Sequence, residues 1–209
     1  MKLTCQIWLV LQNLILYQIY TIIAFNKKGV NMEKFDLYDR NRIPLGRSLE
    51  RGTKPEEGEY RMVVHVCILN SKATKMLIQK RLKTKHPYPG KWDVSCGGSV
   101  ISGETSDQGA HRELLEEIGI DVDFNKIRPA FTKNFDNGFN DIYILQMDVD
   151  PKSLKLQSTE VEKVEWASRR KIKNMIKKNK FIDYYCSFID YIFDLKKSKG
   201  YKKTKKLNK

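Results

Sequence analysis

Residues 98–120, GSVISGETSDQGAHRELLEEIGI, constrain this chain more than any other stretch. Thr105 or Ser106 can cap a helix here, Gln108 follows Thr105 at the capping-box interval, and Gly119 is placed to end it. On that helix Glu113, Glu116 and Glu117 stand at i, i+3 and i+4, so three carboxylates share one face. Ala110, Leu114 and Ile118 share another, which can anchor the helix to a sheet. Carboxylates packed this closely repel unless a cation joins them, and hard oxygen ligands suit Mg²⁺ or Mn²⁺. A Glu-rich helix alone reads as a solvated surface, so the residues around the glutamates decide the matter.

Those residues follow a strict pattern. Gly98, Glu104, Arg112, Glu113, Leu114, Glu116, Glu117, Gly119 and Ile120 match the Nudix box, G-x5-E-x7-R-E-U-x-E-E-x-G-U with U aliphatic, at every specified position. Ordinary residue frequencies give a chance match on the order of 10⁻⁷. The chain therefore resembles the Nudix hydrolases, which implies an α/β (α+β) fold, an α/β/α sandwich around a mixed β-sheet. It also implies Mg²⁺ as cofactor, with Mn²⁺ as a substitute, and a small phosphorylated substrate. Glu116 and Glu117 are then metal ligands and the Gly97 carbonyl is another. Glu113 is a ligand or the general base, which leaves Glu113 and Glu116 as the catalytic candidates. Arg112 and Glu104 are expected to pair and fix loop to helix, with Gly98 and Gly119 structural. Glu160, in STEVEKVEW, is a weaker candidate for an additional base or ligand. The chemistry that needs such a carboxylate rack is attack of water on a diphosphate, where divalent ions offset the anionic charge and activate the water.

The likeness runs from about Phe35 to about Phe193. Residues 70–104, NSKATKMLIQKRLKTKHPYPGKWDVSCGGSVISGE, are similar to the Nudix branch that includes isopentenyl-diphosphate isomerase. In those isomerases a catalytic Cys lies in a C-G-H-P stretch after the Trp. Here Cys96-Gly97 is followed by Gly98, and Arg61 stands where a second metal-binding His is expected. Two missing ligands and a complete box favour hydrolysis, with the isomerase and a non-catalytic nucleotide-binding module as the alternatives. Cys96 reads as a small loop residue.

Around this centre the pattern predicts short strands. Residues 34–38 and 43–49 flank a polar turn, and Tyr60–Leu69, YRMVVHVCIL, is rich in β-branched residues. Residues 75–81 alternate, 92–95 read as a short strand and 96–103 as a loop. Further strands are expected near 128–134, 141–148 and 161–167, then a helical region over 169–195. There Phe181, Tyr184, Tyr185, Phe188, Tyr191 and Phe193 fall mostly at helical spacing, which suits packing on the domain or on a second subunit as a homodimer. His65 reads as a core or cleft-wall residue, and His86 and His111 show no partner pattern. Trp92 reads as packing beside the box loop rather than as a base-stacking residue.

The termini are of different composition. The formal charge of +14 is concentrated in residues 196–209, which hold eight lysines and no acid, and in Lys2, Lys27 and Lys28. The body between is nearly balanced, so the tail is expected to be solvated and no specific nucleic-acid partner is expected. Residues 7–25 carry no charge and are long enough to cross a bilayer, but Gln12, Asn13 and Gln18 interrupt them. Residues 27–32 can be spelled with a bacterial ribosome-binding sequence before Met32. We therefore expect translation to begin at Met32, with residues 1–31 a mis-called start, 32–195 one catalytic domain and 196–209 a disordered tail. The alternative is a membrane anchor through residues 7–25. Four scattered cysteines, without ligand spacing, fit a reducing cytoplasm.

Overall fold

The computed structural model describes residues 33–195. The hydrophobic segment 7–25, the Met32 start and the lysine-rich residues 196–209 lie outside the described residues.

Strands β1 (Lys34–Tyr38), β2 (Pro44–Glu50), β3 (Tyr60–Leu69), β4 (Lys75–Arg81), β5 (Trp92–Asp93), β6 (Cys96–Ser99), β7 (Phe131–Phe135), β8 (Gly138–Gln146) and β9 (Val161–Ser168) form one mixed sheet. The helices are α1 (Ser106–Ile118), α2 (Arg169–Lys177) and α3 (Cys186–Asp194). Strand β3 is the spine. One flank runs parallel to β8 from Arg61–Gly138 to Leu69–Gln146, and β1, β6 and β4 share the other.

Alternation along β3 builds two cores. Met62, Val64, Val66 and Ile68 pack with Ala110, Leu114 and Ile118 of α1. Cys67 and Leu69 face Ile172, Ile189, Ile192 and Phe193 of α2 and α3. The sheet thus lies between helices, the expected sandwich, and each fully buried aliphatic side chain stabilises it by roughly 1.5–3 kcal/mol. Among the described residues, no helix is long and apolar enough to cross a membrane.

Three local expectations change. Residues 96–99 are strand, not loop: Gly97 and Gly98 pair with His65 and Val64. Glycines leave no side-chain pattern to read, and here they are required, because a Cβ on Gly97 would stand 2.6 Å from His65 Cδ2. The 169–195 region is two helices, since Asn179 takes a positive φ of 55° and Phe181 then bridges to Trp92 in the sheet. The strands expected near 128–134 and 141–148 form a tight hairpin, with Gly138 beside the Arg61 carbonyl, where a Cβ would come within 2.4 Å.

A buried carboxylate fixes the start of α1. Asp141 is fully buried and accepts from Arg42 Nη2 at 2.7 Å, Arg42 Nη1 at 3.0 Å, and the hydroxyls of Thr132 and Ser106, each at 2.6 Å. This ties the β1–β2 turn, the β7–β8 hairpin and the first residue of α1 together. Thr105 is the N-cap, and its backbone N–H donates to Gln108 at 2.9 Å. Gly119 ends α1 in the left-handed region at φ 71°.

Candidate active site

The box residues meet where α1 lies against β6. Arg112 and Glu104 pair as expected: Arg112 Nε donates to Glu104 Oε1 at 2.7 Å and Nη2 to Oε2 at 3.1 Å. Nη2 also donates to the Ser99 carbonyl at 2.9 Å, so one guanidinium fastens helix, loop and β6 together. Its remaining nitrogen, Nη1, spans Glu113 at 3.0 Å and Glu116 at 3.2 Å.

The three glutamates stand at different depths. The Glu116 side chain is 51% exposed, that of Glu113 13%, and Glu117 as a residue only 4%. Glu117 turns inward and accepts from Gln79 Nε2 at 3.0 Å and from the Gly97 backbone N–H at 3.2 Å. Burial and the neighbouring charge of Glu113 push its carboxyl up to about 8, against the opposing pull of those two donors. Beside it, Gln79 Oε1 is buried without a hydrogen-bond partner. Gly98 leaves room for Glu113, whose Oε1 lies 2.1 Å from where a Cβ would be.

Among the described residues, no three His, Cys, Asp or Glu side chains stand at metal-ligating spacing. Arg112 Nη1 engages Glu113 and Glu116, while Glu117 turns to Gln79 and the Gly97 N–H. The donor set nevertheless fits a hard divalent cation. It holds carboxylate oxygens on one helix, a buried acid destabilised by its like-charged neighbour, and a glycine backbone against both.

Other expected residues fall elsewhere. Glu160 precedes β9 and is ion-paired with Lys85, while its carbonyl accepts from Leu82 N at 3.0 Å. Cys96 is fully buried, and burial together with the charges of Glu117 and Glu113 pushes its thiol well above the usual range. Trp92 is buried, with Lys163 Nζ 5.3 Å from its ring centroid, as the packing reading expects. His111 pairs with Asp121 at 2.8 Å.

Two features escaped the sequence. His65 joins a polar chain: its Nδ1 lies 2.8 Å from Asn140 Oδ1 and its Nε2 3.1 Å from the Tyr184 hydroxyl, which donates to Asp93 at 2.9 Å. Arg61, on the same face of β3 two steps away, contacts Ser99. The sequence aligned Arg61 with a ligand position of the isomerases and put His65 in the core or cleft wall, but alternation along one strand does not say what lies opposite either residue.

The NUDIX domain family profile matches residues 59–186, from just before β3 to the first residue of α3. Over 165 residues the chain is 40% identical to an uncharacterized Nudix hydrolase of Listeria innocua, covering 79% of this chain and 96% of that protein. It is 27% identical over 146 residues to an isopentenyl-diphosphate Delta-isomerase of Photorhabdus laumondii, covering 67% of this chain and 80% of that protein. A Deinococcus radiodurans crystal structure shares the fold with a TM-score of 0.62 at 22% identity, covering 77% of this chain and 97% of that one.

Proposed function

The chain belongs to the Nudix family, and we propose that it is a Mg²⁺-dependent hydrolase cleaving the diphosphate linkage of a nucleoside diphosphate derivative or a related small phosphorylated molecule. The observation that carries this reading is Glu117: a carboxylate 4% exposed, beside Glu113 and against the Gly97 backbone. A buried acid so placed is costly unless it serves a cation or a proton transfer.

Glu113, Glu116, Glu117 and the Gly97 carbonyl would hold the ion, which when bound supplies charge neutralisation at the phosphates and a more acidic water. Around it the protein orients and accepts protons. Arg112 keeps Glu113 and Glu116 within reach of one another and locks α1 to β6. A carboxylate of Glu113 or Glu116 takes the proton of the attacking water. The new oxygen–phosphorus bond forms as the bridging one breaks, leaving two phosphate products. Glu160 could join as a further base or ligand by leaving Lys85.

The buried Cys96 thiol supports hydrolysis over isomerisation, since a thiol held protonated and out of solvent is a poor acid–base group for a substrate. The free cysteines among the described residues, Cys67, Cys96 and Cys186, support a cytoplasmic setting. Tyr185 and Tyr191, 77% and 50% exposed, support a homodimer formed through α3.

The deciding experiment is product analysis with Mg²⁺ and a panel of diphosphates that includes isopentenyl diphosphate, with Glu116→Gln and Glu117→Gln beside the unaltered protein. Metal-dependent cleavage lost in both variants supports the hydrolase. Isomerised isopentenyl diphosphate would hand the case to the isomerase, and a stable nucleotide complex without turnover to a binding module.

A further inference from the structure

Arg61 opens β3 on the face that carries Val63 and His65, and it is partly buried. Its guanidinium lies 5.7 Å from the ring centroid of Phe35 and 5.4 Å from that of Phe135. Nη1 donates to Ser99 Oγ at 3.2 Å, and among the described residues no carboxylate pairs with it. Burial and the nearby charge of Arg51 both lower its pKa. A cation taken partly out of water, beside a second cation and without a counter-ion among the described residues, is a placement that an anionic ligand would relieve.

Ser99 sets where that anion would be. Its hydroxyl accepts from Arg61 and its carbonyl from Arg112, whose other nitrogen holds Glu113 and Glu116. One residue of β6 therefore separates the free donors of Arg61 from the α1 carboxylates. The two ring faces hold the guanidinium in place, so little side-chain entropy is lost when a phosphate meets its planar fork.

We propose that Arg61 anchors a second phosphate group of the substrate, next to the one engaged at the α1 carboxylates, and so selects diphosphates and longer chains over monophosphates. This rests on the reading of the site as one that acts on a diphosphate. Arg61 is a binding group here, with no proton to move.

The test measures calorimetric binding of imidodiphosphate, a non-hydrolysable diphosphate, and of inorganic phosphate to the full chain with Mg²⁺. The unaltered protein is compared with Arg61→Gln and Arg61→Lys. Arg61→Gln should weaken imidodiphosphate about tenfold or more and inorganic phosphate less than about twofold, while Arg61→Lys keeps an intermediate affinity. Equal weakening of both ligands, or none, overturns the proposal. A second readout uses the unaltered protein, so it does not depend on a variant folding: imidodiphosphate should shield Arg61 from phenylglyoxal, followed by peptide mass. Absence of shielding also overturns it. If a diphosphate is hydrolysed yet Arg61→Gln leaves binding and KM unchanged, the anchor is wrong and the hydrolase stands. If imidodiphosphate binds through Arg61 but no diphosphate is turned over, the reverse holds.

Discussion

The Glu113 carboxylate fills the space that a side chain on Gly98 would take: a Cβ on Gly98 would stand 2.1 Å from Glu113 Oε1 and 2.3 Å from its Cδ. The clash is with the far end of a flexible side chain, so Gly98→Ala should fold with a stability change below about 1 kcal/mol while displacing the carboxylate. The expected loss is about 100-fold in kcat/KM. Gly119→Ala should behave oppositely, because its φ of 71° and the Lys155 backbone O 3.0 Å from the added Cβ oppose any side chain. It should cost about 1–3 kcal/mol in thermal unfolding. Equal behaviour of the two variants would refute both assignments.

Glu117 should make the metal-free protein pH-sensitive. Its carboxyl is pushed up from 4.5 to about 8. Between those values the folded chain holds more protons than the unfolded one, so stability falls as pH rises through the window, by at most about 1.4 kcal/mol per pH unit. Urea unfolding in chelator at about pH 5 and about pH 8 should show this slope, and Glu117→Gln should flatten it. A slope unchanged in the variant would mean that another group is responsible.

Arg42→Ala should be among the costliest substitutions remote from the box. It strips a fully buried Asp141 of its only cationic partner among the described residues, leaving the Thr132 and Ser106 hydroxyls. About 3 kcal/mol is expected in urea unfolding, with part recovered when Asp141→Asn is added. A cost below about 1 kcal/mol would show that the two hydroxyls suffice.

Cys96→Ala separates the two reaction classes. The thiol is fully buried, so its removal should cost about 1 kcal/mol through the small cavity left and change hydrolytic kcat less than about twofold. A collapse of activity with the fold intact would point to thiol chemistry and against hydrolysis.

Much of the centre was legible because its constraints are local. Capping at Thr105, the Gly119 stop and the Ala110, Leu114 and Ile118 anchor follow from intervals within one helix and its preceding loop, and the Arg112–Glu104 pair from the resemblance that the box carries. The helical region expected over 169–195 is interrupted because Phe181 takes part in the sheet through Trp92, 89 positions earlier in the chain. Helical spacing of aromatics carries no sign of such a contact.

By itself the sequence determined the family through the box, the sandwich through what that resemblance implies, and the identity and order of the acidic residues, since helix periodicity and box spacing act over a few turns. Only the tertiary structure decided their depths. Glu117 is buried because Gln79 and Gly97 arrive from β4 and β6, and among the described residues Arg61 meets two rings and a hydroxyl from β1, β7 and β6 rather than a carboxylate. Burial and electrostatic environment are properties of chain segments brought together from far apart, and desolvation sets how each charge behaves.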